Sequence, residues 1–223
     1  MMKLSKRLST ICSFVPPGVT LADIGSDHGQ LVMALSMRGD CRALFASDNK
    51  IGPYGRLKTS ILQTRGLITP ITTYLASGLE HLPVEVDCIV IAGMGGDLIA
   101  SILQEGKDVL AKRHPLLILQ ANTLVPLLRR SLNALGYSLT NEKVVEDGHY
   151  YEILVAAFGK EIYDEDDYDF GPLLRREQSE EFVQFYQNRM EEIHRLFTKD
   201  LSTIRKEELK KEEERIRRIL HEN

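Results

Sequence analysis

The stretch LADIGSDHGQL, residues 21 to 31, reads as a buried strand that runs into a glycine turn and then a helix. Gly25 removes the side chain where backbone N–H groups would come close to a ligand, as in nucleotide-binding sheets. A dinucleotide loop would carry a third glycine near position 27, where this chain has Asp27. A carboxylate at that place has to be explained by any reading of the fold.

Outward from this turn, short apolar runs alternate with helical patterns, the signature of a parallel sheet covered on both faces. Strands are expected at 20–25, 42–48, 70–76, 87–93 and 115–120, and helices at 4–15, 29–38, 53–65, 96–104 and 124–135. Two further strands, 137–145 and 150–158, are joined by a turn at Asp147-Gly148, which favours an antiparallel hairpin. Such a hairpin is the ordinary ending of a class I methyltransferase sheet and unusual among nicotinamide domains. After Gly159 the acidic run KEIYDEDDYDFGP suggests a solvated linker over 161–171 between a 1–160 domain and the helices of 172–223. Leu173, Phe182, Phe185, Met190, Ile193 and Phe197, then Leu209, Ile216, Ile219 and Leu220, recur mostly three or four apart, which predicts two amphipathic helices in a hairpin. That pair reads either as a plain solvated appendage or as an arm whose Arg189, Arg195, Arg205, Lys206, Arg215, Arg217 and Arg218 meet a large substrate.

The 223 residues carry a net charge of -4 and are 43% hydrophobic, enough for a sizeable core. Residues 1–160 hold 16 basic and 14 acidic side chains, so the remainder holds 12 and 18. The acidic total argues against indiscriminate nucleic-acid binding while allowing a local basic patch. No run suits a membrane span or a signal peptide, so a cytoplasmic location is expected. Cys12, Cys41 and Cys88 lack metal-ligand spacing and read as buried thiols, and no metal is expected. A monomer is the expected state.

Asp48, at the end of the second strand and 23 residues after Gly25, matches the acid that accepts ribose hydroxyls, with a simple turn-former as the alternative. With Asn49 beside it, it joins Asp23, Gly25, Ser26 and His28 as candidate cofactor contacts. Ser77 and Gly78 follow the third strand, where nucleoside-binding sheets usually place an acid for the adenine amino group. Gly93-Met94-Gly95-Gly96 leaves the fourth strand almost without bulk, so Gly93 and Met94 would wall the same crevice from the opposite side.

Five motifs, KLSKRLSTI, LADIGSDHG, IAGMGGDLI, LILQANTLVPLLR and EDGHYYEILVA, together resemble the bacterial tRNA (adenine-22-N1)-methyltransferases known as TrmK, in order and spacing across residues 3–158. The helices after 172 agree in character. The resemblance implies an α/β, Rossmann-like class I S-adenosylmethionine-dependent methyltransferase sheet with a terminal antiparallel hairpin and a coiled-coil-like C-terminal helical hairpin. It further implies S-adenosyl-L-methionine as cofactor, tRNA as partner, and methylation of N1 of an adenine in the D-arm. Two departures stand out: Ser77 replaces an acid, and Gln120-Ala121-Asn122 replaces Gln-Pro-Asn.

Adenine N1 has a lone pair and needs no strong base, so alignment is the main task of such an enzyme. The base must be unpaired or flipped, and its ring gains positive charge that a carboxylate stabilises. Asp27 is the candidate for that carboxylate, with a helix N-cap as its alternative. His28 would meet the methionine portion or the target base, or simply pack in the loop. Gln120 and Asn122 would read the adenine edge, unless Asn122 is a helix cap. Lys3, Lys6 and Arg7 are the first candidates for RNA phosphates, followed by Arg129 and Arg130. Two other functions share these features: a nicotinamide-dependent oxidoreductase, and a tRNA-binding protein that has lost the reaction.

Overall fold

A computed structural model describes residues 3–221 of the chain. Seven strands form one sheet: β1 (Thr20–Ile24), β2 (Ala43–Asp48), β3 (Ile71–Leu75), β4 (Cys88–Met94), β5 (Leu116–Ala121), β6 (Tyr137–Asp147) and β7 (His149–Phe158). Their order is β3-β2-β1-β4-β5-β7-β6, with β1 to β5 parallel and β7 antiparallel to both its neighbours. β1 is buried at every position, as a strand covered on both faces must be.

Side-chain alternation sorts the sheet into two cores. Ala22, Ile24, Ile89, Ile91, Leu117, Leu119, Leu154 and Ala156 pack with α4 (Gly96–Glu105), α5 (Lys107–Arg113) and α6 (Val125–Ala134). Leu21, Val90, Ile118, Ile153 and Val155 pack with α1 (Lys6–Phe14), α2 (Gln30–Arg38) and α3 (Ile51–Gln63). The strand order reverses between β1 and β4, and the crevice outside their carboxyl ends is where ligands of open sheets bind. α5 was not expected from the sequence; it follows α4 after Gly106, whose N–H closes the end of that helix.

The expected solvated linker contains a helix. Asp164 caps α7 (Glu165–Phe170), its side chain accepting from Asp167 N–H while Asp167 reaches back to the Asp164 N–H. Phe170 is buried, and the acidic side chains find arginines: Glu165 meets Arg130, Asp164 and Asp167 meet Arg175, and Asp166 meets Arg215 and Arg218. Acid density at 161–171 thus supplies counter-charge for surrounding guanidinium groups, with Asp166 and Asp167 largely covered while Asp164 and Glu165 stay exposed.

α8 (Pro172–Glu177) leads to α9 (Glu180–Phe197) and α10 (Thr203–Leu220), capped by Ser179 and Ser202. The pair runs antiparallel, with Gln178 bonded to Ile219 O and Arg189 to Glu212. Their apolar face is seated on the sheet, since Val144 of β6 shares a core with Phe170, Leu174, Phe182, Tyr186, Ile193, Leu209, Ile216 and Ile219. Among the expected arm contacts, Arg189, Arg205, Arg215, Arg217 and Arg218 all make ion pairs within the chain.

Arg129 was expected at an RNA surface and is instead 1% exposed. It donates to Glu142 of β6 at 2.8 Å, to Glu152 of β7, and to Tyr168 O at 3.1 Å, while Leu173 N–H donates to Glu142. Burial opposes its charge, and the two carboxylates outweigh that effect and hold its pKa above the ordinary value. Arg130 binds Glu165 through two N–H groups at 3.0 and 2.8 Å and lies 4.4 Å from the Tyr168 ring centroid. Exposed guanidinium groups on α6 are thus scarcer than the sequence suggests.

Candidate active site

β1 brings Asp23 and Ile24 to the turn at Gly25, whose φ is 75° and whose N–H, like that of Ser26, donates to Ser47 O. A Cβ on Gly25 would stand 2.0 Å from Met94 Cε, so the β1 turn and the β4 end approach as closely as glycine permits. At Gly96 a Cβ would meet Leu124 O at 2.5 Å and Thr123 O at 2.6 Å, which locks the loop after β4 against the loop after β5.

Two hollows meet at Gly25 and Asp27. The larger, about 530 Å3, lies between the ends of β1, β2 and β3 and α4, and includes Asp48, Asn49, Ser77, Gly78 and Met94. Its volume suits a small-molecule ligand. The smaller, about 320 Å3, includes Asp23, Ser26, His28, Ala92, Gly93 and Arg7. All ten side chains or glycines expected to touch a cofactor, together with Asp27, therefore line two neighbouring hollows that share Gly25 and Asp27.

Asp48 is buried and its Oδ1 accepts from Lys50 N–H at 2.9 Å, so it shapes its turn while facing the larger hollow. Asp23 is 6% exposed and takes one side-chain hydrogen bond, from Ser26 Oγ. Burial pushes its carboxyl up from 3.8 to about 6, against the smaller opposing effect of that hydrogen bond.

Asp27 has φ 43° and is not a helix cap: α2 begins after Gly29, with no side-chain capping bond. Its Oδ1 receives Arg56 Nη2 at 2.9 Å, and His28 Nε2 lies 3.6 Å from Oδ2. Arg56, from α3, lines the larger hollow and carried no sequence signal, since an exposed helical arginine usually contacts nothing specific.

Gln120 departs from expectation. It is fully buried, its Oε1 accepting from Gly93 N–H at 3.1 Å and from Arg7 Nη1, and its Nε2 donating to Asn122 Oδ1 at 3.0 Å. With both ends committed, it fixes neighbours rather than reading a base. Asn122 is exposed, donates to Gly93 O at 2.9 Å, and does not cap α6, whose N-cap is Leu124.

Arg7 is half-buried and held from several sides. Its guanidinium lies 5.2 Å from the Tyr151 ring centroid and lines the smaller hollow, and its N–H donates to Asp147. Lys3 and Lys6 are exposed, with Lys6 Nζ 3.7 Å from Glu181. Arg129 and Arg130 lie outside the crevice.

Comparison with known proteins agrees with this arrangement. The family model TrmK, tRNA (adenine(22)-N(1))-methyltransferase, matches residues 21–223. The tRNA (adenine(22)-N(1))-methyltransferase of Bacillus subtilis strain 168 is 40% identical over 160 residues, which span 71% of this chain and 66% of that protein. The crystal structure of the B. subtilis m1A22 tRNA methyltransferase superposes with a TM-score of 0.84 at 32% identity, covering 98% of this chain and 99% of that one. A Streptococcus pneumoniae protein crystallised in complex with S-adenosyl-L-methionine superposes with a TM-score of 0.89 at 36% identity, covering 98% and 100%. The sheet is thus that of a Rossmann-like methyltransferase, and the chain belongs to the tRNA (adenine(22)-N(1))-methyltransferase family.

Proposed function

We propose that this protein transfers a methyl group from S-adenosylmethionine to N1 of adenine 22 in the D-arm of tRNA. The observation that carries the reading is the crevice at the β1–β4 switch point, which joins the bare Gly25 turn, the Asp48 carboxylate and the Asp27 carboxylate in a chain of this family. The residues fit an adenosine-bearing cofactor. Gly25 leaves the strand end without a side chain, and Asp48 Oδ2 accepts no hydrogen bond from the described residues, so it is open to ribose hydroxyls. When bound, the cofactor supplies an electrophilic methyl group on a sulfonium.

The chain's own groups do the rest. Asp48 orients the sugar, and Ser77 with the backbone beside Gly78 meets the base in place of an acid. Asp27, shared by both hollows, stabilises the positive charge that develops on the target ring. Its partner Arg56 is half exposed, and an ion pair of that kind contributes only about 0–1 kcal/mol, so the carboxylate can turn from Arg56 to the ring. Asn122 gives one N–H to Gly93 O and one Oδ1 lone pair to Gln120, and because it is exposed its second N–H and second lone pair stay available to the adenine edge. Lys3 and Lys6, at the exposed start of α1, take RNA phosphates.

The test is transfer of labelled methyl groups from the cofactor to unmodified tRNA, with the modified nucleotide mapped. Label at N1 of adenine 22 is expected, and failure to label any tRNA refutes the reading. Titration with S-adenosylhomocysteine and with NAD separates it from a nicotinamide enzyme, since only the former should bind.

A further inference from the structure

The loops after β4 and β5 run side by side and end on an apolar rim. Asn122 N–H donates to Met94 O at 2.7 Å and its side chain to Gly93 O at 2.9 Å, and Gly96 N–H donates to Thr123 O at 2.8 Å. Past these bonds the chain exposes three leucines: Leu98 in the first turn of α4, Leu124 just before α6, and Leu127 in the first turn of α6. Leu98 also lines the larger hollow. Leu124 is the unfavourable one. Its φ is 56° and its ψ 38°, the left-handed region that glycine and asparagine enter readily and leucine does not. It precedes α6 without a side-chain hydrogen bond, so the helix start gains nothing from it. With 53% of its surface exposed, burial offsets little of that strain. For the fold alone Asn is the better residue, since it tolerates the conformation and caps a helix. The leucine therefore answers to something outside the chain.

We propose that Leu124 is an apolar stop against which the nucleoside carrying the target adenine comes to rest, while Asn122, two residues earlier, meets the polar edge of the same base. A nucleobase is apolar on its face and polar on its edge, so an amide and an aliphatic side chain on one short loop are complementary to it. Adenine N1 needs alignment with the methyl carbon and the sulfur rather than activation, and a side chain that limits where the base settles acts directly on the rate of transfer. The strained backbone suits that task. A Cβ at Gly96 would stand 2.6 Å from Thr123 O and 2.5 Å from Leu124 O, so the loop is packed onto the start of α4 and the leucine is held in place. Leu98, two residues past Gly96, carries the same apolar surface toward the hollow that would hold the cofactor.

This role rests on the adenine-22 reading, and it makes an unusual prediction: a substitution that improves the fold should impair the reaction. Leu124→Asn and Leu124→Met are compared with the wild type by thermal unfolding, by calorimetric titration of S-adenosylhomocysteine, and by steady-state methyl transfer to unmodified tRNA. Leu124→Asn should raise Tm by about 2–4 °C, the scale of one relieved strain and one gained cap in a chain of this size. It should leave S-adenosylhomocysteine affinity within about twofold and lower kcat/KM for tRNA by about 10- to 100-fold, the equivalent of burying one leucine side chain. Leu124→Met keeps an apolar side chain and should transfer faster than the Asn variant by about fivefold or more. An Asn variant as active as the wild type overturns the proposal. So does one whose Tm and S-adenosylhomocysteine affinity fall together with its activity, because that pattern assigns Leu124 to the fold. A Met variant no faster than the Asn variant overturns it as well, since apolar contact is then not what the reaction needs. A wild type that labels no tRNA defeats the adenine-22 reading and this role together, whereas a labelling wild type matched by the Asn variant defeats this role alone.

Discussion

Replacing Asp23 by Asn should remove a loss of fold stability that sets in between pH 4 and pH 6. The carboxyl of Asp23 is raised from 3.8 to about 6 because burial disfavours its charge. An unfolded chain releases this proton near pH 4 and the folded chain near pH 6, so between those values the folded state holds more protons. Stability contributed by this group is therefore greatest below pH 4, falls as pH rises from 4 to 6, and is flat above. At 1.36 kcal/mol per pKa unit, the loss amounts to about 3 kcal/mol. Asn has no proton to release and escapes it. Its amide brings a cost of its own, about 1–3 kcal/mol if the new N–H donors find no acceptor beside Ser26. That cost does not depend on pH, so the informative quantity is the change in the mutational effect between pH 4 and pH 7.5. Urea unfolding of both proteins at the two values, with matched m-values, should show the variant gaining about 2–3 kcal/mol relative to wild type on going to pH 7.5. A mutational effect that is the same at both pH values would show that Asp23 is ionised at no cost, and the argument from burial would fail.

Asp27→Asn keeps a residue type that tolerates φ 43°, and it should lower methyl transfer by about 10²-fold while leaving S-adenosylhomocysteine affinity within a few-fold; unchanged turnover would remove Asp27 from the chemistry. Arg129→Ala strands Glu142 and Glu152 against the sheet and should cost about 3–5 kcal/mol in urea unfolding, whereas a loss below about 1 kcal/mol would show that the buried network is dispensable. Deleting residues 172–223 should yield an aggregating or molten protein by near-ultraviolet circular dichroism, because Val144 loses its cover and Glu142 loses the Leu173 N–H; a well-folded remnant would make the helices a true appendage.

Much of the fold is legible because it rests on local signals. Strands β1, β4 and β5 follow from apolar runs, the turns at Gly25 and Gly93 from residues without bulk at the ends of β1 and β4, and the two long C-terminal helices from spacing. The errors share one physical cause. Arg129 and Gln120 take their roles from partners 13 and 27 residues away, and no local pattern tells an exposed arginine from one that meets two carboxylates. The acidic run failed in the same way, because Asp166 finds Arg215 and Arg218 some 49 and 52 residues later. Parity was an unused signal: Asp23 and Gln120 both alternate against the residues of the α4–α6 core, so they had to face α1.

The terminal hairpin links these distant contacts. Tyr151 and Glu152 are consecutive in β7 and therefore point to opposite faces of the sheet. Tyr151 lies beneath the Arg7 guanidinium and Asp147, at the tip of β6, accepts the Arg7 N–H, so one face of the hairpin orients the residue that lines the smaller hollow. Glu152 and Glu142 on the other face hold Arg129, which reaches Tyr168 O, while Glu142 takes the Leu173 N–H. A disturbance of α7 or α8 thus acts first on the two glutamates, and the next residue along β7 supports the crevice. The antiparallel strands that close this sheet are thereby the route by which the C-terminal helices and the site share one folded unit.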